Sequence, residues 1–157
     1  MHHTDKVRCT CSRIVCAGGY FAAGFHGTIG HSDAWNRIDT PNRYTFTVRD
    51  EGVRRQWGVL YEFFKALPFW RLQPFEGVTG KGVVALAEPG KVYLVYLPRG
   101  GDLTVDLSAA QAPLTAPWFN SRDGLAGEPF LVTPGESGRF QAPDAQDWVL
   151  QLRETPR

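Results

Sequence analysis

Long apolar runs are absent from this chain, and so are long runs of charge of one sign. No apolar stretch reaches the roughly 20 residues that a membrane-spanning helix needs, so the sequence predicts no membrane partner. The longest basic run is Arg54-Arg55, and the formal net charge is +1. Because surfaces that bind nucleic acid are strongly basic, the composition predicts no nucleic-acid partner.

Cysteine is scarce and confined to one segment. The three cysteines are Cys9, Cys11 and Cys16, and an odd number so placed cannot form a disulfide framework for the rest of the chain. Their C-x-C-x4-C spacing matches no standard zinc site, so we expect neither a metal nor a cofactor. Residues 1–13 also lack the apolar segment of a signal peptide, which leaves the compartment open.

Glycine and aromatic residues are plentiful in one stretch, residues 18–36, GGYFAAGFHGTIGHSDAWN. Glycine-rich segments that carry histidine, aspartate and tryptophan are typical of binding loops. The pattern around His26, His31 and Asp33 allows three interpretations: a metal site, contacts to a sugar, or the ordinary polarity of a loop. Spacing does not favour the metal, because it fits neither zinc nor calcium sites.

The first half of the chain predicts a strand, a loop and a helix. The apolar run at 13–23 suits a strand buried on both faces, and a polar loop follows at 24–50. A helix is predicted over 52–67, where apolar residues recur every three or four positions and Pro68 stops the pattern. The residues of this apolar stripe are Val53, Trp57, Leu60, Phe64 and Leu67.

The second half predicts only β-strands. Short segments rich in β-branched and aromatic residues alternate with turn residues, which is typical of an antiparallel sandwich. The predicted strands are 91–98, 102–108, 114–120, 127–133, 138–142 and 147–153. We expect a hairpin at Arg99-Gly100-Gly101, a turn with positive φ at Gly90, and a linker at 71–80.

Trp118 and Trp148 allow two interpretations. Flat aromatic side chains can stack on sugar faces, yet adjacent residues of a strand point to opposite faces of its sheet. Core packing is the favoured interpretation for both tryptophans.

Four segments of the chain resemble one known family. They are FFKALPFWRLQP, VALAEPGKVYLVYLPRGGDLTVDLS, PWFNSRDG and DWVLQLR. They are similar to the C-terminal part of bacterial apiosidase-like glycoside hydrolases, in which a (β/α)8 barrel precedes a β-sandwich named the "putative collagen-binding domain of a collagenase". The resemblance implies that residues 1–74 are the end of a barrel and that residues 75–157 are the sandwich. The fold class expected is therefore mainly β, an antiparallel β-sandwich preceded by the last strand and helix of a (β/α)8 barrel.

The same resemblance implies a pocket wall. Loops that follow barrel strands form the active-site face, so the stretch after 13–23 would contact an oligo- or polysaccharide. The candidate residues are Phe25, His26, His31, Asp33 and Trp35.

The pair of catalytic carboxylates expected of such enzymes is missing from the barrel end of this sequence. Retaining hydrolysis uses two carboxylates about 5 Å apart, and in this family they come from strands before the last one. Asp5 is the only acid before Gly18. We therefore expect a truncated accessory part that is non-catalytic alone.

Two alternative functions stay open. The chain could be a component of a glycosidase that another stretch of polypeptide, such as the missing barrel portion, completes. It could also be an autonomous module that binds glycans or matrix protein.

Overall fold

The computed structural model describes residues 3–19, 29–30, 47–48 and 51–155. The described part contains two α-helices, α1 (His3–Cys16) and α2 (Glu51–Lys65), and a 3-10 turn at Phe69–Arg71. Its strands are β1 (Ile29–Gly30), β2 (Thr47–Val48), β3 (Gln73–Pro74), β4 (Val78–Thr79), β5 (Val84–Glu88), β6 (Val92–Leu97), β7 (Asp102–Asp106), β8 (Leu114–Ala116), β9 (Trp118–Phe119), β10 (Phe130–Val132), β11 (Ser137–Gln141) and β12 (Trp148–Glu154). Neither helix of these ranges is long and apolar enough to cross a membrane.

The strands from β3 onward form two antiparallel sheets. The larger sheet has the order β10-β8-β12-β6-β5-β3, with β9 also paired to β12, and the smaller sheet has the order β11-β7-β4. One apolar core joins both sheets, with Val95 and Leu150 from the larger sheet and Val105 and Phe140 from the smaller one. This arrangement confirms the mainly β, antiparallel prediction.

Strand β6 is buried on both faces, and its two faces serve different cores. Tyr93, Val95 and Leu97 lie in the core between the sheets. Leu94 and Tyr96, which point the opposite way because side chains alternate along a strand, lie in a second core beneath the helices. The larger sheet is therefore the middle layer of three.

Helix α2 supplies most of the apolar cover for that second core. Phe63, Phe64 and Leu67 are buried there, and the half-buried Leu60 packs against the same cluster. The predicted helix 52–67 is thus observed as Glu51–Lys65. Leu60 and Phe64 of its predicted apolar stripe, and Leu67 just after the helix, pack in the core beneath the larger sheet. The chain turns into the 3-10 segment after Pro68, where the sequence predicted a stop.

The predicted strand at 13–23 is wrong where the structure describes it. Residues 13–16 are the last turn of α1, and residues 20–23 lie outside the described ranges. The helix ends at Cys16, and Gly18, two residues later, has a φ of 83°. The Gly19 N–H donates to the Ile14 carbonyl at 2.9 Å and the Gly18 N–H to the Val15 carbonyl at 3.0 Å, which is a Schellman motif.

The predicted hairpin at Arg99-Gly100-Gly101 is also wrong. Strand β6 pairs with β5 and β12, whereas β7 pairs with β4 and β11. The connection therefore crosses from one sheet to the other, and both glycines have positive φ. The true hairpin joins β5 to β6, and Gly90 has the predicted positive φ, 86°. The predicted linker 71–80 contains β3 and β4, so it is part of the sheets.

Candidate functional site

The residues predicted to form a pocket wall lie outside the described part of the chain. Phe25, His26, His31, Asp33 and Trp35 all fall within 20–28 or 31–46, and their role stays a prediction. Within the described ranges, no group of three or more histidine, cysteine, aspartate or glutamate residues could hold a metal ion.

The most elaborate polar site in the described ranges is the helix–sheet junction, which we define as Arg8, Ser121, Arg122, Asp144 and Asp147. Arg8 Nε donates to Asp147 Oδ2 at 2.9 Å, and Arg8 Nη2 donates to Asp147 Oδ1 at 2.8 Å. The exposed fraction of the side chain is 7 % for Arg8 and 2 % for Asp147. This two-pronged ion pair joins α1 to the start of β12 across 139 sequence positions.

Asp147 and Arg8 each make a further hydrogen bond. Ser121 Oγ donates to Asp147 Oδ2 at 2.6 Å, and Arg8 Nη1 donates to Asp5 Oδ1 at 2.8 Å. Burial alone would lower the pKa of Arg8, but its bonds to Asp147 outweigh that effect and the pKa is raised. Arg8 is therefore charged at neutral pH, as a buried bidentate pair requires.

The segment WFNSRDG (118–124) joins the sheets to α2. Trp118 lies in the core between the sheets, as predicted. Phe119 points the other way, and its ring lies 4.3 Å from that of Phe63 on α2, centroid to centroid. Gln56 of α2 donates from Nε2 to the Arg122 carbonyl at 2.8 Å. This turn therefore contacts α2 through both a ring and a backbone group.

The Arg122 side chain extends the junction to Trp148. Its guanidinium lies 4.8 Å from the centroid of the Trp148 ring and 3.4 Å from Asp144 Oδ2. Trp148 Nε1 donates to Asp144 Oδ1 at 2.7 Å, and this bond, with one from the Gln146 backbone, lowers the pKa of Asp144. Half-buried Trp148 packs against the core between the sheets, which agrees with the favoured interpretation.

The cysteines near the junction are poor nucleophiles. Complete burial raises the pKa of the Cys16 thiol to about 12, and burial also raises the pKa of Cys9 and Cys11. A thiol must ionise to attack or to bind a metal. The hydrogen bonds and ion pairs of the helix–sheet junction are suited to holding parts of the chain together.

Two packed antiparallel sheets backed by helices define the fold, and solved structures of other proteins share it. A solved structure described as "Glycoside hydrolase" matches with a TM-score of 0.56 and 18 % identity, over 68 % of this chain and 26 % of the other. A glycoside hydrolase family 5 structure from Bacteroides vulgatus ATCC 8482 matches with a TM-score of 0.57 and 21 % identity, over 66 % and 24 %.

A family model matches the β-rich part of the chain. Residues 78–153 match the family model described as "Putative collagen-binding domain of a collagenase", which confirms the resemblance seen in the sequence. At identities of 18 % and 21 % the solved structures show a shared fold, and this chain spans about a quarter of their length. None of the curated proteins compared with the chain matches it.

Proposed function

We propose that the chain is the C-terminal accessory part of a glycoside hydrolase, in which the β-sandwich fastens the last helices of the catalytic (β/α)8 domain. In this proposal residues 1–74 belong to the barrel end and residues 75–157 to the accessory domain. Helix α2 is the last barrel helix. The sandwich carries no catalytic group and acts by holding that helix in place.

The observation that carries the proposal is the covered outer face of the larger sheet. An antiparallel sheet of a free-standing sandwich commonly presents a polar outer face to water. Here Leu94, Tyr96 and Val149 of that face are buried under α1 and α2, and the Arg8–Asp147 pair is buried beside them. Because exposing this apolar face to water would be unfavourable, the helices are expected to stay packed on it.

The described carboxylates support a non-catalytic role. A glycosidase general acid needs a raised pKa, which an apolar pocket provides. Asp147 is the only buried acid in the described ranges, and it is fully engaged by Arg8 and Ser121. Asp144 has a lowered pKa because Trp148 and the Gln146 backbone donate to it, so it is unsuited to donate a proton at neutral pH.

Hydrolysis of chromogenic substrates tests the non-catalytic part of the proposal. The full chain is incubated with 4-nitrophenyl glycosides of common pentoses and hexoses, and the release of nitrophenolate is followed. We expect the rate of the protein-free blank. Release above the blank that disappears in Glu62→Gln or Asp123→Asn would contradict the proposal, because these two carboxylates share a cleft between α2 and the sheet.

A further inference from the structure

A cleft of about 540 Å³ separates the outer side of α2 from the larger sheet. Gly58, Glu62 and Phe63 lie on its helix side, and Phe119, Gln151 and Arg153 lie on its sheet side. Its size falls within the range of about 300–1,000 Å³ that is typical of small-molecule sites. Like many such sites, it lies where two structural units meet.

Gly58 has no packing reason to be glycine. A glycine inside a helix costs about 1 kcal/mol relative to alanine, and a Cβ built on Gly58 would meet no atom within 4 Å. Gly124, across the cleft, differs because its φ is 82° and a Cβ there would lie 3.3 Å from Val59 Cγ2. A larger side chain at Gly58 would therefore extend into the cleft.

The cleft combines an aromatic surface with hydrogen-bonding groups of mixed charge. The half-buried Phe119 ring lies against Phe63 and leaves part of its surface to the cleft. Glu62 is 67 % exposed, and the half-buried Gln151 and Arg153 lie on the sheet side. Arg153 Nη2 donates to the Ala66 carbonyl at 3.0 Å, which fixes the guanidinium beside the end of α2.

We propose that this cleft binds one unit of a neutral saccharide. The apolar C–H face of a sugar ring packs on an aromatic side chain, while carboxylate, amide and guanidinium groups bond its hydroxyls from the sides. The cleft holds two carboxylates, Glu62 and Asp123, one guanidinium at Arg153 and an uncharged amide at Gln151. This excess of negative charge disfavours an anionic ligand. The existence of the cleft is inferred from geometry alone, whereas the choice of a saccharide as its ligand rests on the proposed function.

Titration calorimetry with the full chain tests this inference. The probes are cellohexaose, xylohexaose and mannohexaose, and a triple-helical (Gly-Pro-Hyp)10 peptide is titrated in parallel. Gly58→Leu places a side chain into the cleft and replaces glycine with a better helix former, so the variant stays folded. Its matched control is Arg54→Leu, which adds the same side chain at an exposed position of α2 outside the cleft lining.

We expect at least one hexasaccharide to bind, with at least tenfold weaker binding in Gly58→Leu and unchanged binding in Arg54→Leu. In Glu62→Gln we expect a loss of about threefold. Equal affinity in Gly58→Leu and the parent chain, or binding of the collagen peptide alone, would overturn the inference. So would the absence of hexasaccharide binding by a folded chain that hydrolyses no glycoside, and that result leaves the proposed function standing.

Discussion

Arg8 and Asp147 illustrate how single residues hold the layers of this molecule together. Each is a charged residue that water would solvate well, and each is buried at the helix–sheet junction. Removing two charges from water costs several kcal/mol per ion unless they pair with good geometry and further hydrogen bonds. Asp5 and Ser121 supply those bonds. The pair therefore fixes one docking position of α1 on the sheet.

Asp147→Asn is predicted to destabilise the protein by about 3 kcal/mol, because it leaves the Arg8 charge buried without its carboxylate partner. Asparagine has nearly the same shape, so the loss is electrostatic. Equilibrium unfolding in urea, followed by tryptophan fluorescence, measures the change. The control is Asp102→Asn, an exposed acid of β7, which we expect to change stability by less than about 0.5 kcal/mol. Similar values for the two variants would refute the role of the pair.

The Asp144–Trp148 hydrogen bond is predicted to make stability depend on acid pH. Because the folded state lowers the pKa of Asp144, the bond stabilises the protein above the ordinary aspartate pKa of about 3.9. That stabilisation is lost as pH falls through the lowered folded value. Melting temperatures measured from pH 7 to pH 3 should fall less steeply in Asp144→Asn than in the parent chain. Parallel curves would show that the bond contributes nothing.

At the scale of elements, the strands were predictable because their signal is local. Alternation and turn residues indicated the strands from β6 to β12, with β8 and β9 predicted as one strand over 114–120, and Gly90 indicated its turn. The last turn of helix α1 was mistaken for a strand because the buried face of the helix includes Arg8, Ser12 and Cys16, which have little apolar periodicity. Arg8 becomes acceptable inside the protein only through Asp147, a partner 139 positions away. No pattern within the first 20 residues contains that information.

The sheet-to-sheet crossing after β6 was missed for a related reason. Arg99-Gly100-Gly101 contains the residues of a hairpin turn, and the same glycines also permit a crossing. Which path the chain takes depends on β12, which pairs with β6 along its whole length and thereby occupies the edge that β7 would need. Likewise, WFNSRDG was recognised as part of the family resemblance, whereas its contact with Gln56 and Phe63 required the folded chain.

Helix α2 is predicted to tolerate a side chain at Gly58, whereas the turn that contains Gly124 should resist one. Gly58→Ala should stabilise the protein by about 0.5–1 kcal/mol, because the alanine Cβ meets no atom and glycine is costly inside a helix. Gly124→Ala should destabilise by more than about 1 kcal/mol, because its φ of 82° is unfavourable for alanine. Thermal unfolding of both variants checks this. A destabilised Gly58→Ala would show that the helix needs glycine there.

At the scale of the whole molecule, the larger sheet belongs to two cores at once. Its inner face packs on the smaller sheet and its outer face packs on the helices. A sheet shared in this way couples the three layers, because loosening either core exposes the same strands. The accessory role proposed for the sandwich depends on that coupling, since a domain that holds a helix must unfold together with it.

Hydrogen exchange of the full chain, followed by mass spectrometry at peptide resolution, tests that claim most directly. We predict that amides of residues 57–65 in α2 and 93–97 in β6 exchange with similar free energies of opening, and that Asp147→Asn lowers both. The account would be contradicted if α2 exchanged roughly a hundredfold faster than β6, a difference of about 2.7 kcal/mol, while β6 kept full protection. The sandwich would then fold without holding the helix.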